Sequence, residues 1–306
     1  MPIPVLIRID VDSIEGIHKG VDFYLELFEK YGFKASFFVP MGPNNVVSAG
    51  LMRISQPAFW KQVYYMKPWQ TYRLLDKQFD RNAEIGGGAP AVLKKIVGHG
   101  HEVALHGYDH AYISDNAYSL TPEQYSNQIN RARDIYHGAL GGVPSGTGSP
   151  AWRCDEKTLR VQDQLGFTYA SDFIGSEPCR VKIGEYTSST PQIPANLDNI
   201  FPLVVRYRGN HDKALDHLKR QIDDRGDYVA MTIHTEYEFV QFGRHMDKLF
   251  RFLVNTGRVG ERYDCHAATL DVAALPEKEL SYYSYDGAVG KVAATDFIGL
   301  LRELKV

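Results

Sequence analysis

Val5-Leu6-Ile7-Arg8-Ile9-Asp10-Val11-Asp12 alternates without a break. Val5, Ile7, Ile9 and Val11 fall on one side of an extended chain, and Leu6, Arg8, Asp10 and Asp12 on the other, the period-two pattern of a strand. The two aspartates therefore share a face at the strand's C-terminal end. Beyond them Val21, Tyr24, Leu25 and Phe28 keep helical spacing, with Gly32 as the stop, and residues 34–40 read as a second strand. A third apolar run, Glu102-Val103-Ala104-Leu105, leads into His106-Gly107-Tyr108-Asp109-His110. Read as a helical turn, that i, i+4 spacing brings both imidazoles to one point. Neutral imidazoles suit Zn²⁺ and similar metals, which take a third donor from elsewhere. Two histidines at this spacing are more often plain loop residues; the acidic strand end at residues 10–12 is what favours a metal.

The alternation of strand and helix continues. Thr121-Pro122 opens a helix, and Gln124 completes its capping box. A short helix near 158–165, a strand over 167–172, a helix over 213–222 and a strand over 228–234 follow. Met246, Leu249, Phe250 and Leu253 line one face of a helix that stops at Gly257. A last strand is expected near 263–266 and a final helix over 296–304; residues 175–210 are turn-rich and show no clear element. Repetition over ~260 residues implies a mainly parallel sheet. Asp10, Asp12, His106, Asp172 and His234 all end strands, which is where α/β barrels place active sites. The expected organisation is a barrel over 1–270, interrupted by an insertion at about 45–88, with 271–306 as an extension packed on it.

Residues 53–79 of that insertion hold seven aromatics, five basic residues and one acid, Asp76. Trp and Tyr favour a membrane–water interface, and Lys and Arg beside them are drawn to anionic headgroups. A peripheral contact with the inner membrane surface and a lid packed over the site mouth are the two readings. Gly86-Gly87-Gly88 closes the insertion as an expected flexible turn; with no strand before it, it is no nucleotide loop. The 306 residues are 44% hydrophobic with a net charge of −3, without the basic excess of a nucleic-acid binder. Cys154, Cys179 and Cys265 form no CxxC, which argues against a disulfide framework and fits a reducing compartment. Neither a secretory pattern nor a run of 18 apolar residues is seen. The expected location is cytoplasmic, with attachment at the cytoplasmic face of the inner membrane through 53–79.

Taken in order, Arg8-Ile9-Asp10-Val11-Asp12, His106-Gly107-Tyr108-Asp109-His110, Trp152-Arg153, Tyr169-Ala170-Ser171-Asp172 and Ile233-His234-Thr235-Glu236 resemble the motifs of NodB-type polysaccharide deacetylases. Within that family they are most similar to a divergent branch of deformylases, which act on undecaprenyl-phosphate-linked 4-deoxy-4-formamido-L-arabinose in lipid A modification. The stretch from Phe37 to Asn45 and the aromatic insertion support this branch, and the resemblance spans roughly residues 3–270. It implies an α/β fold, a distorted TIM-like (β/α) barrel of seven or eight strands. It also implies one divalent metal, Zn²⁺ ahead of Co²⁺, Ni²⁺ or Mn²⁺, held by Asp12, His106 and His110, with Asp10 as general base. The family's usual aspartates are adjacent; here Val11 separates them, as in the divergent branch.

The resemblance further implies that His234 protonates the leaving amine, with Asp172 beside it to raise its pKa. Arg153 orients Asp10, contacts a substrate phosphate, or is a surface residue. A backbone N–H near Trp152-Arg153 stabilises the oxyanion. Trp152 is a sugar platform or a packed side chain, while Tyr108 and Glu236 are candidate substrate contacts. Asp109 either supports a ligand histidine or makes an Asx turn. Cys154 is read as packing, and His101, His211 and His245 as ordinary histidines. The implied reaction removes formyl, or secondly acetyl, from an amino sugar, a lipid-linked one among the candidates. A peptidoglycan-type deacetylase and an allantoinase-like ring-amide hydrolase are the enzymatic alternatives. A catalytically dead sugar-binding barrel is the alternative of another kind.

Overall fold

β1 (Ile3–Asp10) is the strand the rest of the sheet is built on. The computed structural model describes residues 2–45, 53–67, 83–284 and 290–296. β2 (Ser36–Val39), β3 (Glu102–Leu105), β4 (Gly146–Thr147) and β5 (Tyr169–Ala170) extend the sheet on one side of β1, all parallel. β6 (Arg180–Ile183) and β7 (Tyr186–Thr187) belong to a smaller sheet. β8 (Val229–His234) lies along the other side of β1, and β9 (Arg258–Glu261) covers its N-terminal half. Register places Asp10 opposite both Phe38 and His234, so three strand ends stand level.

The two faces of β1 divide as the alternation predicts. Val5, Ile7, Ile9 and Val11 enter the core between sheet and helices. Leu6 packs inside the curl with Phe38, Ala104, Tyr169, Ile193, Ala230 and Tyr263. Each fully buried large apolar side chain contributes roughly 1.5–3 kcal/mol, and burial on both faces makes this strand the least replaceable part of the chain.

The curl is closed by a segment that is not a regular strand. Ala170 N–H donates to Pro191 O (2.9 Å), Ile193 N–H to Ala170 O (2.8 Å) and Asn196 N–H to Ala230 O (3.0 Å). The Asn196 side chain adds two bonds, accepting from Ala230 N–H (2.9 Å) and donating to Tyr228 O (2.7 Å). Residues 191–196 thus bridge β5 and β8, inside the stretch that sequence patterning leaves without elements. The described part of the C-terminal region contributes β10 (Glu277–Glu279), paired with β6, and the hairpin of β11 (Ser281–Tyr283) with β12 (Val292–Ala294). Ala293 O and Thr295 N–H both bond the backbone of Ile174.

Two local expectations are corrected. The strand expected near 263–266 is a short helix, Tyr263–Ala267, and the strand precedes it as β9. The glycine triplet is packed rather than flexible. Gly86 and Gly87 N–H groups donate to Pro40 O and Met41 O, and an added Cβ at any of the three would lie within 2.6 Å of a neighbour. The helix Pro57–Met66 occupies part of the insertion. Trp69 and Asp76, and the final helix expected over 296–304 beyond residue 296, lie outside the described residues.

Candidate active site

His106 and His110 reach one point, but not along a helical turn. His106 leaves the end of β3, Gly107 turns the backbone at φ 78°, and His110 opens the next helix, His110–Asn116. Gly107 is required there because a left-handed φ disfavours any Cβ, and an added Cβ would sit 2.3 Å from Ile113. Asp12, two residues past β1, completes the set: one donor atom from each of Asp12, His106 and His110 lies within 4.8 Å of the others. His106 Nε2 stands 3.7 Å from Asp12 Oδ1, and His110 Nε2 stands 3.5 Å from Asp12 Oδ2.

Three observations suit this cluster to a cation. His106 Nδ1 donates to Gly148 O at 2.7 Å, which leaves Nε2 as a bare lone pair facing Asp12. Burial lowers the His106 imidazole to about 4 and that of His110 to about 3, so both are neutral. Asp12 Oδ1 and His106 Nε2 are buried with no hydrogen-bond partner. Two such orphaned atoms destabilise a fold by roughly 1–3 kcal/mol each, and a cation between them would satisfy both. The residues fit a divalent metal.

Asp10 has a different partner. Arg8 Nε and Nη2 grip its two carboxylate oxygens at 2.6 and 3.0 Å, while Nη1 donates to Ser171 O at 2.5 Å. The guanidinium is sandwiched between Phe38 (4.5 Å) and Trp152 (4.3 Å). Burial alone would raise the Asp10 carboxyl; Arg8, with His106 and His234, outweighs it and holds the group at about 2. His234 lies opposite, its Nε2 4.0 Å from Asp12 Oδ2 and its ring tilted against Phe201 with centroids 4.4 Å apart. Its Nδ1 stands 3.5 Å from Glu238 Oε1, a fully enclosed carboxylate. Burial would lower the imidazole, but Glu238, Asp12 and Asp10 together lift it to about 9.

With this geometry in hand, comparison with known proteins is informative. A family model described as polysaccharide deacetylase matches residues 11–170, the stretch that supplies Asp12, His106 and His110. The chain belongs to the polysaccharide deacetylase family. It is similar to a probable 4-deoxy-4-formamido-L-arabinose-phosphoundecaprenol deformylase of Shewanella sediminis, 28% identical and covering 79% of each chain. A protein of the same description from Wigglesworthia glossinidia brevipalpis is 25% identical over 79% of this chain and 85% of its own. A polysaccharide deacetylase structure from Mycobacterium smegmatis, described there as putative, superposes with a TM-score of 0.61 at 17% identity, over 92% and 94% of the two chains. That last likeness concerns the fold, a distorted barrel.

Other expected site residues lie elsewhere. Asp172 does not support His234; its carboxylate accepts from Ser149 N–H and Gln192 Nε2, both at 2.8 Å. Arg153 does not orient Asp10; it donates to Ser114 O at 2.5 Å. Its own N–H is taken by Pro150 O, so it is no oxyanion donor. Trp152 is 8% exposed and roofs Arg8, its backbone and that of Ala151 both left-handed at φ 55° and 56°. Strained non-glycine pairs of this kind concentrate at functional sites. Tyr108 is packed under Arg131 (3.8 Å) and hydrogen-bonds Glu84. Glu236 accepts from Ser13 and Thr235 hydroxyls within the wall and is 3% exposed. Asp109 caps its helix at Tyr112 N–H, and Cys154 is buried packing with its thiol pKa raised by burial.

Arg8 and Glu238 are the residues that sequence reading missed. Both had a signal: Arg8 shares the β1 face with Asp10, two residues away, and Glu238 follows His234 by four where a strand runs into a helix.

Proposed function

We propose that the protein is a metal-dependent amide hydrolase that removes a formyl group, with acetyl second, from an amino sugar. A lipid-linked 4-formamido-arabinose is the leading candidate substrate. The observation that carries this reading is the convergence of Asp12, His106 and His110 between an acidic Asp10 and a basic His234. Environments that push two titratable groups apart in this way mark a base and an acid.

Asp12, His106 and His110 would hold the cation, Zn²⁺ being the first candidate for this donor set. A divalent ion bound there would polarise the amide carbonyl and acidify water, which is what lets a carboxylate as acidic as Asp10 serve as base. Asp10, ionised and fixed by the Arg8 fork, accepts the proton of the attacking water. His234, protonated at neutral pH, delivers a proton to the departing amine nitrogen. Glu238, 3.5 Å from Nδ1, balances the charge of the His234 ring. Trp152 keeps Arg8, and with it Asp10, from turning away.

A lipid-linked substrate draws support from the insertion. Trp60 and Tyr64, one turn apart on Pro57–Met66, are 54% and 70% exposed, and Ile54 beside them is 51% exposed. Exposed aromatics of this kind suit a membrane surface. Among the described residues no helix is long and apolar enough to cross a membrane. The deciding assay offers the purified protein formylated and acetylated amino-sugar lipids and measures formate against acetate. Release of neither would sink the reading.

A further inference from the structure

The C-terminal strand β12 has no part in the chemistry above, yet it packs against a residue that does. Alternation along Val292-Ala293-Ala294 turns Val292 and Ala294 to one side and Ala293 to the other. On the first side they cluster with Trp152 and Ala195; on the second, Ala293 joins Cys179 and Val181. All three are buried. Ile174 N–H donates to Ala293 O (3.2 Å), Thr295 N–H to Ile174 O (3.0 Å) and Gly175 N–H to Ala195 O (3.0 Å), which stitches β12 to the segment that closes the barrel. Just before the strand, an added Cβ at Gly290 would lie 2.2 Å from Arg153 Nη2.

Trp152 needs such support, because the Arg8 guanidinium lies between two rings of unequal standing. Phe38 belongs to β2, is fully buried and packs edge-to-face against Tyr169 and Tyr263. Trp152 instead stands on the irregular turn Pro150–Trp152, where Ala151 and Trp152 both carry a left-handed φ. A backbone of that kind persists only where the surrounding packing over-determines it.

We propose that β12 is a positioning element of the active site: Val292 and Ala294 hold the Trp152 turn closed, Trp152 holds the Arg8 fork, and the fork aims Asp10. This rests on the reading of Asp10 as base. Truncating a buried valine leaves a hollow that its neighbours fill only in part, and here the neighbour with room to move is a turn already under strain. With the indole displaced, one side of the Arg8 sandwich is open and the fork can turn. Asp10 then loses its aim while Asp12, His106 and His110, held by other elements, keep theirs.

The test is Val292→Ala, with formate release from a formylated amino-sugar lipid resolved into kcat and KM. The expected fall in kcat is about tenfold, a fraction of the roughly 10²–10⁴-fold that a general base contributes, with KM and metal content as in wild type. Val181→Ala, the same truncation on the other side of β12, should lower the thermal midpoint comparably and keep kcat; Val292→Ile should keep kcat as well. In an Arg8→Lys background Val292→Ala should cost little more, because the two residues act in one chain. A wild-type kcat in Val292→Ala, an equal fall in Val181→Ala, or losses that multiply in the Arg8→Lys protein overturns the proposal. A second readout follows the indole without turnover. In a Trp60→Phe/Trp69→Phe background Trp152 is the one tryptophan left of three, and acrylamide quenching of its fluorescence reports its exposure. Quenching should rise in Val292→Ala and not in Val181→Ala; unchanged quenching overturns the hold on Trp152 whatever the activity. A rise in quenching, with no formate released by wild type, upholds that hold and removes only the amide-hydrolase reading.

Discussion

Asp10 and Asp12 leave β1 on the same face, yet Arg8 grips only the first. In the proposed mechanism that difference separates a base from a ligand, and substitution should expose it. Asp10→Asn is expected to keep bound metal while losing roughly 10²–10⁴-fold in kcat, the usual contribution of general base catalysis. Asp12→Asn and His106→Ala should lose metal and turnover together, measured by elemental analysis beside the assay; an Asp10→Asn protein stripped of metal would exchange the two roles. Glu238→Gln should lower kcat more than it changes KM, because the carboxylate touches His234 and not substrate, and Glu238→Asp should restore part of the loss. A fall in KM alone would place Glu238 elsewhere. At this scale the juxtaposition was legible where a residue's neighbours in the chain are also its neighbours in space, as for Asp10 with Asp12 and His106 with His110. It was not legible for Asp172 and Arg153, whose partners Gln192 and Ser114 lie 20 and 39 residues away.

Elements repeat that contrast. β1, β2, β3 and β8 carry the alternating or continuous apolar runs of buried strands, and each appears where the pattern puts it. Residues 191–196 carry no such pattern, because their hydrogen bonds come from scattered amides and the side chain of Asn196. The hairpin of β11 and β12 was equally hidden: Val292 and Ala294 pack against Trp152 and Ala195, contacts that only the folded chain defines. The insertion helix Pro57–Met66 was hidden by its own composition, since a helix with aromatics on its outer face shows no clean amphipathic stripe. Trp60→Ala is expected to weaken co-sedimentation with anionic liposomes and to slow hydrolysis of a lipid-linked sugar, with little change on a short water-soluble analogue. Equal loss on both substrates with liposome binding intact would leave the helix as a lid alone.

For the molecule as a whole, the end of the barrel away from the site contributes to its response to pH. His101 Nδ1 accepts from Ala35 N–H (3.1 Å), and burial lowers its pKa to about 4 from 6.5. The unfolded chain therefore binds the extra proton between those values. Stability present above pH 6.5 is lost as pH falls toward 4, by about 3 kcal/mol. Glu102, next in sequence, runs the other way. Burial and then Asp264 raise it to about 7, so its contribution is full below 4.5 and is lost as pH rises through 7. Denaturation midpoints at pH 5 and 7 should show His101→Gln losing less stability on acidification than wild type, and Glu102→Gln losing more. Identical slopes in all three proteins would mean that neither group titrates in this range. Above this floor the wall is continuous everywhere but at residues 191–196, where scattered bonds replace a ladder. A regular ladder resists insertion, because shifting one residue turns every side chain to the wrong face. The fastening at Asn196 carries no such constraint, since its amide can reach the same backbone from a loop of another length. Lineages descending from this chain are therefore free to lengthen or shorten the barrel's circumference there, and so to refit its mouth to a larger or smaller sugar without disturbing the strands that carry Asp12 and His106.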